Sequence, residues 1–350
     1  MIEVAALTSG RRVPSSRFRV RQHVEPLRSL GVDVHEYVPA IDKYARLPGW
    51  PSGVSQLAVG PLYLLWQAVK VSSRLPAVLA SHRHDLTWLQ RELLPGYLTL
   101  EPALKRPLVL DIDDAIWLAK PFGRSATRAL ARRADLIVAG NRYLAEWFSG
   151  HNREVHVVPT AVDTYRFRAR PRPAAGRALF VVGWTGPSGN LAFLRSIERP
   201  LARFLDEHPD ARLRVVSDAP PGLTAGGQVD YVRWSEDVEV AAVQEMDVGL
   251  MPLPDNEWTR GKCGFKMLQY MACGVAVVAS PVGVNAEILA MAELGLAARE
   301  EADWYDALCW LHANRSRALQ YGENGRSVAE TRFGKEVVAR QLAEIFRRFR

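Results

Sequence analysis

Short apolar runs alternate with longer stretches of helical spacing through the first half of the chain. Between Arg19 and Leu30 apolar residues recur every three or four positions, and Gly31 follows as a C-cap, so a helix is predicted there. Alternation of strands with helices predicts a parallel sheet. The runs that predict buried strands are rich in β-branched residues and lie at Ile2–Leu7, Val32–Tyr37, Ala77–Ala80, Leu108–Ile112 and Leu136–Ala139.

Tyr165–Gly176 interrupts this pattern with prolines and arginines, as an interdomain linker would. The alternation then resumes, which predicts two tandem doubly wound α/β domains, residues 1–165 and 166–333. Ligands of such sheets bind beyond the carboxyl ends of the strands, so two facing edges would form a central cleft. The strand-like runs of the second half lie at Ala178–Trp184, Leu213–Ser217, Val229–Arg233, Val248–Met251 and Val275–Ala279.

The composition agrees with a soluble globular protein of two domains. The chain has 350 residues, of which 48% are hydrophobic and 24% charged. Its three cysteines are odd in number and lack CxxC spacing, so we expect neither disulfides nor a zinc site, and a reducing cytoplasm. Met1–Leu7 resembles a buried strand and not a signal peptide. The apolar stretch Leu57–Val69 is shorter than the roughly 20 residues of a membrane-spanning helix.

A formal net charge of +7 is compatible with nucleic acid, an anionic membrane surface or a phosphorylated ligand. Arginine supplies most of the positive charge, since the chain has only seven lysines. Two of these, Lys262 and Lys266, lie four positions apart in a glycine-rich segment. This spacing draws attention to the segment Thr259–Asn285, which reads TRGKCGFKMLQYMACGVAVVASPVGVN.

Gly261–Gly274 reads as a loop that opens a helix, with Phe265, Leu268 and Ala272 as the stripe facing the core. If the helix extends back far enough, Lys262 and Lys266 both lie near its N-terminus, where unpaired N–H groups favour an anion such as a diphosphate. The alternative is a solvated basic turn.

The ordered series of motifs resembles family 4 of the retaining glycosyltransferases, the bacterial group 1 enzymes with the GT-B fold. The first half adds SSRFRVRQHVEPLRSLGVDV from Ser15, LQRELLP from Leu89 and LVLDIDDAIW from Leu108. The pieces that resemble the nucleotide-sugar-binding half run from Val157 to about Phe333 and read VVPTAVDTYRF, VVGWTGPSGNLAFL, LRVVSD, VRWSEDVEVAAVQEMDVGLMPLP, the Thr259–Asn285 segment and AEIL.

The resemblance implies a donor site in the second domain. Members of the family usually carry two glutamates eight positions apart, the second on the donor ribose; here those positions are Gly261 and Gln269. The loop GWTGPSGN lacks the usual arginine and lysine, so we assign the diphosphate charge to Lys266, Lys262 and Arg260. The predicted donor-binding residues are Gly186, Ser188, Trp234, Arg260, Lys262, Gly264, Lys266 and Gln269.

The carboxylates Asp111, Asp113 and Asp114 follow a predicted strand, which places them at the cleft edge, and Asp111 and Asp114 are predicted on the acceptor or phosphate side of the first domain. The run allows several interpretations. A metal-binding DxD belongs to a single-domain glycosyltransferase fold, and a phosphatase nucleophile motif requires a later lysine that is missing between Lys120 and Lys262. The resemblance instead implies that Asp113 orients or deprotonates an acceptor hydroxyl. Capping of the following turn remains an alternative.

Arg17 and Arg19 follow the first loop, where they would close over the donor phosphates or simply lie on the surface. Trp234 would hold the base or pack in the core. A C-terminal helix, residues 334–350, is expected from the resemblance to cross back to the first domain.

These features together predict transfer of a sugar from a nucleoside diphosphate sugar to a hydroxyl of a glycan, lipid-linked or small-molecule acceptor. The resemblance implies retention of configuration. Lys266 and Asp113 are the predicted catalytic residues, and no metal or other cofactor is expected. The basic surface allows peripheral contact with the inner face of a membrane.

Two alternatives stay open. A catalytically silent GT-B protein would fit the absence of glutamates at Gly261 and Gln269. Nucleic-acid binding rests on charge alone, because no helix-turn-helix, RNP or zinc module is recognisable, and we therefore expect no nucleic-acid partner.

Overall fold

The computed structural model describes residues 1–49, 60–169, 179–223 and 228–349, which form two compact units. Unit 1 comprises Met1–Thr160 and Val338–Arg350, and unit 2 comprises Ala161–Val337. The chain passes from unit 1 to unit 2 after residue 160, five residues before the predicted division after residue 165. The predicted linker Tyr165–Gly176 lies partly outside the described residues.

Unit 1 contains one six-stranded sheet in which every pair of neighbouring strands is parallel. The strand order β2-β1-β3-β4-β5-β6 changes direction between β1 and β3, and this is the switch point at which such sheets bind ligands. Its elements are β1 (Ile2–Leu7), α1 (Pro14–Arg19), α2 (Val24–Ser29), β2 (Val32–Tyr37), α3 (Pro61–Ser72), α4 (Leu75–Ser81), β3 (Leu86–Gln90), β4 (Leu108–Ile112), α5 (Gly123–Arg133), β5 (Leu136–Ala139), α6 (Arg142–Ser149) and β6 (Val155–Val157).

Unit 2 contains a second six-stranded parallel sheet, with the order β12-β11-β10-β7-β8-β9. This is the dinucleotide-binding order, and its switch point lies between β7 and β10. Its elements are β7 (Phe180–Thr185), α7 (Leu191–Arg195), α8 (Glu198–Glu207), β8 (Ala211–Ser217), β9 (Val229–Arg233), α9 (Glu239–Gln244), β10 (Val248–Met251), α10 (Glu257–Arg260), α11 (Phe265–Ala272), β11 (Ala276–Ala279), α12 (Val284–Leu289), β12 (Gly295–Ala297), α13 (Glu301–Ala313) and α14 (Arg315–Val328).

The final helix, α15 (Lys335–Arg347), carries the chain back to unit 1. The buried ring of Phe346 packs against Trp88 of β3, with 5.1 Å between ring centroids. Arg347 donates to the carbonyl oxygen of Leu30 at 2.6 Å, and Arg348 pairs with Glu154 at 2.8 Å. The C-terminal segment is thus an integral part of unit 1.

Most predicted strands occur within two residues of their expected bounds, but Ala77–Ala80 does not. It lies in α4, and the strand at that place is β3, all five of whose residues are buried. The prediction was wrong because an apolar run of four residues is too short to separate a strand from a helix by its period. Pro76 in the first turn of α4 favours the helix.

The predicted helix through Arg19–Leu30 is broken into α1, a 3-10 turn at Arg21–His23 and α2. Val20 leaves the helical region with φ −122° and ψ −66°. Pro26 requires a place in the first turn of a helix, and a helix that begins at Val24 provides it. The edge strands β6 and β12 were not predicted, since three residues carry too little periodicity.

The predicted apolar stretch Leu57–Val69 lies partly outside the described residues, and from Pro61 onward it belongs to α3. Among the helices that the structure describes, none is both long and apolar enough to cross a membrane.

Candidate functional site

The switch point of unit 2 is held open by Tyr270 of α11. Strands β7 and β10 pair only at Val182 with Val248 and at Gly183 with Gly249. Beyond these pairs the buried Tyr270 hydroxyl accepts from the backbone N–H of Thr185 at 3.0 Å and donates to the carbonyl oxygen of Leu250 at 3.3 Å. The hydroxyl therefore replaces ladder hydrogen bonds where the strands diverge.

Gly249 makes this arrangement possible. A Cβ at Gly249 would lie 2.3 Å from the Tyr270 ring, which is closer than two carbon atoms can approach. Tyr270 was not among the predicted site residues; its signal in the sequence is a tyrosine on the otherwise apolar face of a helix that follows a strand.

Lys266 reaches the same carboxyl edge, beside the loop that follows β7. A Cβ at Gly186 would lie 2.6 Å from Lys266 Cε and 2.9 Å from the Trp184 ring, so the glycine leaves room for the lysine stem. Lys266 Nζ lies 5.4 Å from the centroid of the Trp184 ring, within cation–π range. The structure thus brings together two of the predicted donor-site residues, Gly186 and Lys266.

Helix α11 begins at Phe265, because Gly264 before it adopts a left-handed conformation with φ +64°. Lys262 therefore lies outside the helix, and the predicted helical i, i+4 relation between Lys262 and Lys266 does not form. Lys262 Nζ instead lies 4.8 Å from the Trp258 ring centroid and 5.9 Å from that of Phe193. Leu268 and Ala272 are fully buried, as the predicted stripe requires, whereas Phe265 is only partly buried.

Ser188 already has an anionic partner within unit 2. Its backbone N–H and hydroxyl donate to the two carboxylate oxygens of Asp218, at 2.6 and 2.9 Å. Partial burial of Asp218 opposes its ionisation, but the hydrogen bonds from Ser188 outweigh this and lower its pKa. A carboxylate thus occupies the donors that we had assigned to a phosphate, and a ligand would compete with Asp218 for them.

Gln269, predicted to hold the ribose, faces the interior. It is 4% exposed and donates through Nε2 to Glu239 Oε1 at 2.8 Å. Glu239, 3% exposed at the start of α9, also pairs with Arg166 at 3.2 Å. The amide of Gln269 thus donates to a buried carboxylate, a role that a glutamate at this position would not fill while ionised.

The two remaining donor-site predictions concern side chains nearer the surface of unit 2. Arg260 ends α10 and forms a two-point ion pair with Asp255, with nitrogen–oxygen distances of 2.6 and 3.1 Å. Trp234 follows β9 and is 41% exposed, so it is not a core tryptophan.

The three aspartates at the end of β4 in unit 1 form ion pairs with two arginines, Arg19 and Arg91. Asp111 is fully buried and accepts from Arg19 Nε at 2.8 Å and from its Nη2 at 3.1 Å. Arg19 also donates to the carbonyl oxygen of Val158 at 3.0 Å. Arg19 and Asp111, which we predicted on a ligand-facing edge, thus satisfy each other inside unit 1.

Arg91 holds the other two carboxylates of the run. Its Nε donates to Asp113 at 2.5 Å and its Nη2 to Asp114 at 2.7 Å, and Tyr44 accepts from Nη1 at 3.1 Å. Arg91 follows β3 at the switch point and has φ +60°, a conformation that costs about 1 kcal/mol or more for a residue other than glycine.

The pairing with Arg91 weakens Asp113 as a base. Burial of Asp113 favours its neutral form, but the Arg91 guanidinium outweighs this and lowers the pKa of the carboxyl. Asp113 is therefore better suited to accept a hydrogen bond than to remove a proton. The signal for Arg91 was available as the charged pair Arg91–Glu92 directly after a buried run.

Other predicted residues have less distinctive surroundings. Arg17 in α1 is partly buried, with its guanidinium 4.8 Å from the Phe18 ring centroid. Within the described residues, no group of three or more His, Cys, Asp or Glu side chains is arranged to hold a metal ion. Burial raises the pKa of the Cys273 thiol to about 12, which agrees with a packing role.

Comparison with known proteins assigns the second half of the chain. Residues 176–314 match the family model described as glycosyl transferases group 1. No curated protein matches the chain by sequence.

Solved structures show the same fold along nearly the whole chain. Sucrose-phosphate synthase from Thermosynechococcus elongatus is 16% identical with a TM-score of 0.74, and coverage is 99% of each chain. HepE from Anabaena, solved in complex with UDP and glucose, is 17% identical with a TM-score of 0.69 and the same coverage. WaaG, a glycosyltransferase involved in lipopolysaccharide biosynthesis, is 14% identical with a TM-score of 0.65, again over 99% of each chain. The protein therefore has the GT-B fold, and its residues 176–314 match the family of group 1 glycosyl transferases.

Proposed function

We propose that this protein transfers a glycosyl group from a nucleoside diphosphate sugar to an acceptor hydroxyl, with retention of anomeric configuration. The observation that carries the proposal is the position of Lys266, at the start of α11 and beside Gly186 at the carboxyl edge of β7. A group 1 glycosyltransferase domain supplies the reaction class.

Lys266 and the first turn of α11 would stabilise the charge that develops on the leaving diphosphate. The helix start offers unpaired backbone N–H groups and the positive end of the helix dipole, and Lys266 adds a full charge. This electrostatic role requires no metal ion. Asp113, held by Arg91 in unit 1, would orient the acceptor hydroxyl as a hydrogen-bond acceptor.

UDP-sugars are the donors that we propose first, because HepE was solved with UDP and with UDP-glucose. A glycan or lipid-linked acceptor for the cell envelope is proposed because WaaG, which has the same fold, is involved in lipopolysaccharide biosynthesis. The three free cysteines are consistent with a reducing, cytoplasmic compartment.

A donor screen tests this proposal. Thermal unfolding is measured with UDP-, GDP- and dTDP-sugars, and one nucleotide family should stabilise the protein. With that sugar donor, Lys266→Ala should lower the rate at which nucleoside diphosphate is formed on the order of 100-fold. This is the usual effect of removing one group that stabilises charge in the transition state. The matched control is Lys120→Ala, at an exposed lysine of unit 1.

Unchanged activity of Lys266→Ala would show that the lysine has no role in the mechanism. A screen in which none of the nucleotides stabilises the protein would contradict the proposal itself. Retention is checked separately, by the anomeric configuration of the product in an NMR spectrum.

A catalytically silent protein is the second candidate, and the observation in its favour is specific. Gly261 replaces one expected glutamate, and Gln269 is already bonded to Glu239. Nucleotide binding without release of nucleoside diphosphate, across a panel of sugar and lipid acceptors, would favour this candidate.

A further inference from the structure

Helices α3 and α4 turn their apolar side chains outward. Leu64 is 64% exposed, Leu65 61% and Leu79 69%, although leucines of a helix that packs on a sheet normally face the core. The other exposed apolar side chains of this pair are Leu62, Val69 and Leu75. Scattered exposed apolar side chains need no explanation, but five leucines and one valine within two consecutive helices form a surface feature.

Two cations of this region are buried, Lys70 of α3 and Arg74, which lies between α3 and α4. Lys70 is 6% exposed and donates to the carbonyl oxygen of Lys43 at 3.2 Å, and Arg74 is 3% exposed. Burial lowers the pKa of Arg74 to about 10, the largest influence on this group. Burial of these cations is unfavourable. Helices α3 and α4 thus expose apolar side chains while nearby cations are buried, which is the reverse of the pattern in a helix whose outer face contacts water. This implies that the outer face contacts an apolar partner.

Basic residues lie next to this apolar face. Tyr63 of α3 is close enough to Tyr97 to contribute, after burial, to the raised pKa of that phenol. Tyr97 contacts Phe122 edge-on, with 5.8 Å between ring centroids, and Phe122 is 59% exposed directly before α5. Helix α5 exposes Arg124, Arg128 and Arg132.

The two segments that supply this face carry formal charge of one sign. Neither residues 60–84 nor residues 115–134 contain an aspartate or a glutamate. An apolar helix face bordered by arginines is the pattern of an interfacial helix, in which leucines enter the acyl boundary and cations meet anionic headgroups.

We propose that the face formed by α3, α4, Phe122 and α5, the α3–α5 face, binds an anionic phospholipid bilayer. The twelve residues of α3 extend for about 18 Å, so the helix lies along the surface instead of spanning the bilayer. A symmetric dimer through this face would bring the α5 arginines of two copies together, which charge repulsion opposes.

Vesicle co-sedimentation tests the proposal with the full-length protein and no donor. Vesicles of phosphatidylcholine alone are compared with vesicles that contain 30 mol% phosphatidylglycerol, at low and high salt. The protein should bind the anionic vesicles at least tenfold more strongly, and salt should reduce this preference because the α5 arginines are exposed.

Two variants separate the apolar and the basic contributions. Leu64→Glu/Leu79→Glu and Arg124→Glu/Arg128→Glu should each weaken vesicle binding on the order of tenfold or more. All four side chains are exposed, and an unchanged thermal unfolding temperature without any nucleotide verifies that the variants fold. The matched controls lie in unit 2. Met291→Glu controls for the loss of an exposed apolar side chain, and Arg317→Glu/Arg332→Glu controls for the reversal of two exposed charges. Both controls should bind vesicles as strongly as the wild type.

Equal binding to neutral and anionic vesicles, or undiminished binding by either α3–α5 variant, would overturn the proposal. The absence of vesicle binding would also overturn the proposal. If the protein is then found to be a dimer that dissociates in Leu64→Glu/Leu79→Glu, the occupant of the face is a second copy of the chain. None of these measurements requires catalysis, so the proposed function and the proposed surface fail independently.

Discussion

At the scale of single residues, the chemistry of this protein depends on which charges have partners. Several predicted ligand-facing groups have partners within their own unit, as in the ion pair between Arg19 and Asp111 and the hydrogen bonds from Ser188 to Asp218. Lys266 lies beside Gly186 and the Trp184 ring, at the carboxyl edge where the fold binds ligands. This position makes the start of α11 the candidate site of unit 2.

The ion pair between Asp113 and Arg91 makes stability depend on pH in a defined direction. The pKa of Asp113 is lowered in the folded protein, so the charged carboxylate stabilises the fold above about pH 4, the unfolded value. This stabilisation is lost as the pH falls through the lower, folded pKa. Asp113→Asn should therefore lower the free energy of unfolding by about 3 kcal/mol at pH 7. This is the low end of the range for removing one partner of a buried ion pair, because Asp114 still pairs with Arg91.

Urea unfolding of wild type and Asp113→Asn at several pH values measures this effect. The difference between the two proteins should be constant above about pH 5 and should shrink below about pH 4. Asp306→Asn, at an exposed position, is the control and should give little difference at any pH. A difference for Asp113→Asn that persists unchanged at pH 3 would contradict the assignment.

At the scale of elements, the crevice of unit 2 results from the packing of one helix on two strands. Helix α11 lies against β10 at Gly249, and its Tyr270 hydroxyl bridges β7 and β10 where their ladder ends. Our sequence analysis predicted the helix and its buried stripe but extended the helix too far toward its N-terminus. Gly264 ends it at Phe265, because a left-handed residue cannot continue an α-helix.

Removal of the bridging hydroxyl tests this packing. Tyr270→Phe leaves the Thr185 N–H and the Leu250 carbonyl without their partner and should lower the free energy of unfolding by about 1–3 kcal/mol. If the crevice holds the nucleotide, nucleotide affinity should fall as well. Chemical unfolding and nucleotide titration measure the two effects. Tyr321→Phe, whose ring stacks on Trp310, is the control, and an equal loss in both variants would refute the bridging role.

At the scale of the whole molecule, the last residues of the chain complete the first unit. Phe346 lies fully buried against Trp88, more than two hundred residues earlier in the sequence. Phe346→Ala should destabilise unit 1 by about 3–5 kcal/mol, the usual cost of removing a buried phenylalanine. Hydrogen exchange should become faster in β3 and β4 but not in β10 and β11. Phe349→Ala, at a partly exposed ring, should have a smaller effect, and a uniform increase in both sheets would contradict the assignment.

Local patterns alone determined the alternation of strands and helices, the two parallel α/β halves and the glycine-rich start of α11. Each of these depends on the spacing of apolar residues and glycines over a few positions. Strands β4, β5 and β10 were predicted with their observed bounds from their apolar runs. The run of four residues at Ala77–Ala80 was misassigned, because so short a run does not separate a strand from a helix.

Only the tertiary structure decided which polar groups meet. Arg19 reaches Asp111 across 92 positions, Tyr270 reaches Thr185 across 85, and Gln269 reaches Glu239 across 30. Such pairs follow no period, because they form between helices and strands that are distant in the sequence and meet only when each unit folds. The outward leucines of α3 are of the same kind, since the sequence marks them as apolar but only their packing leaves them exposed.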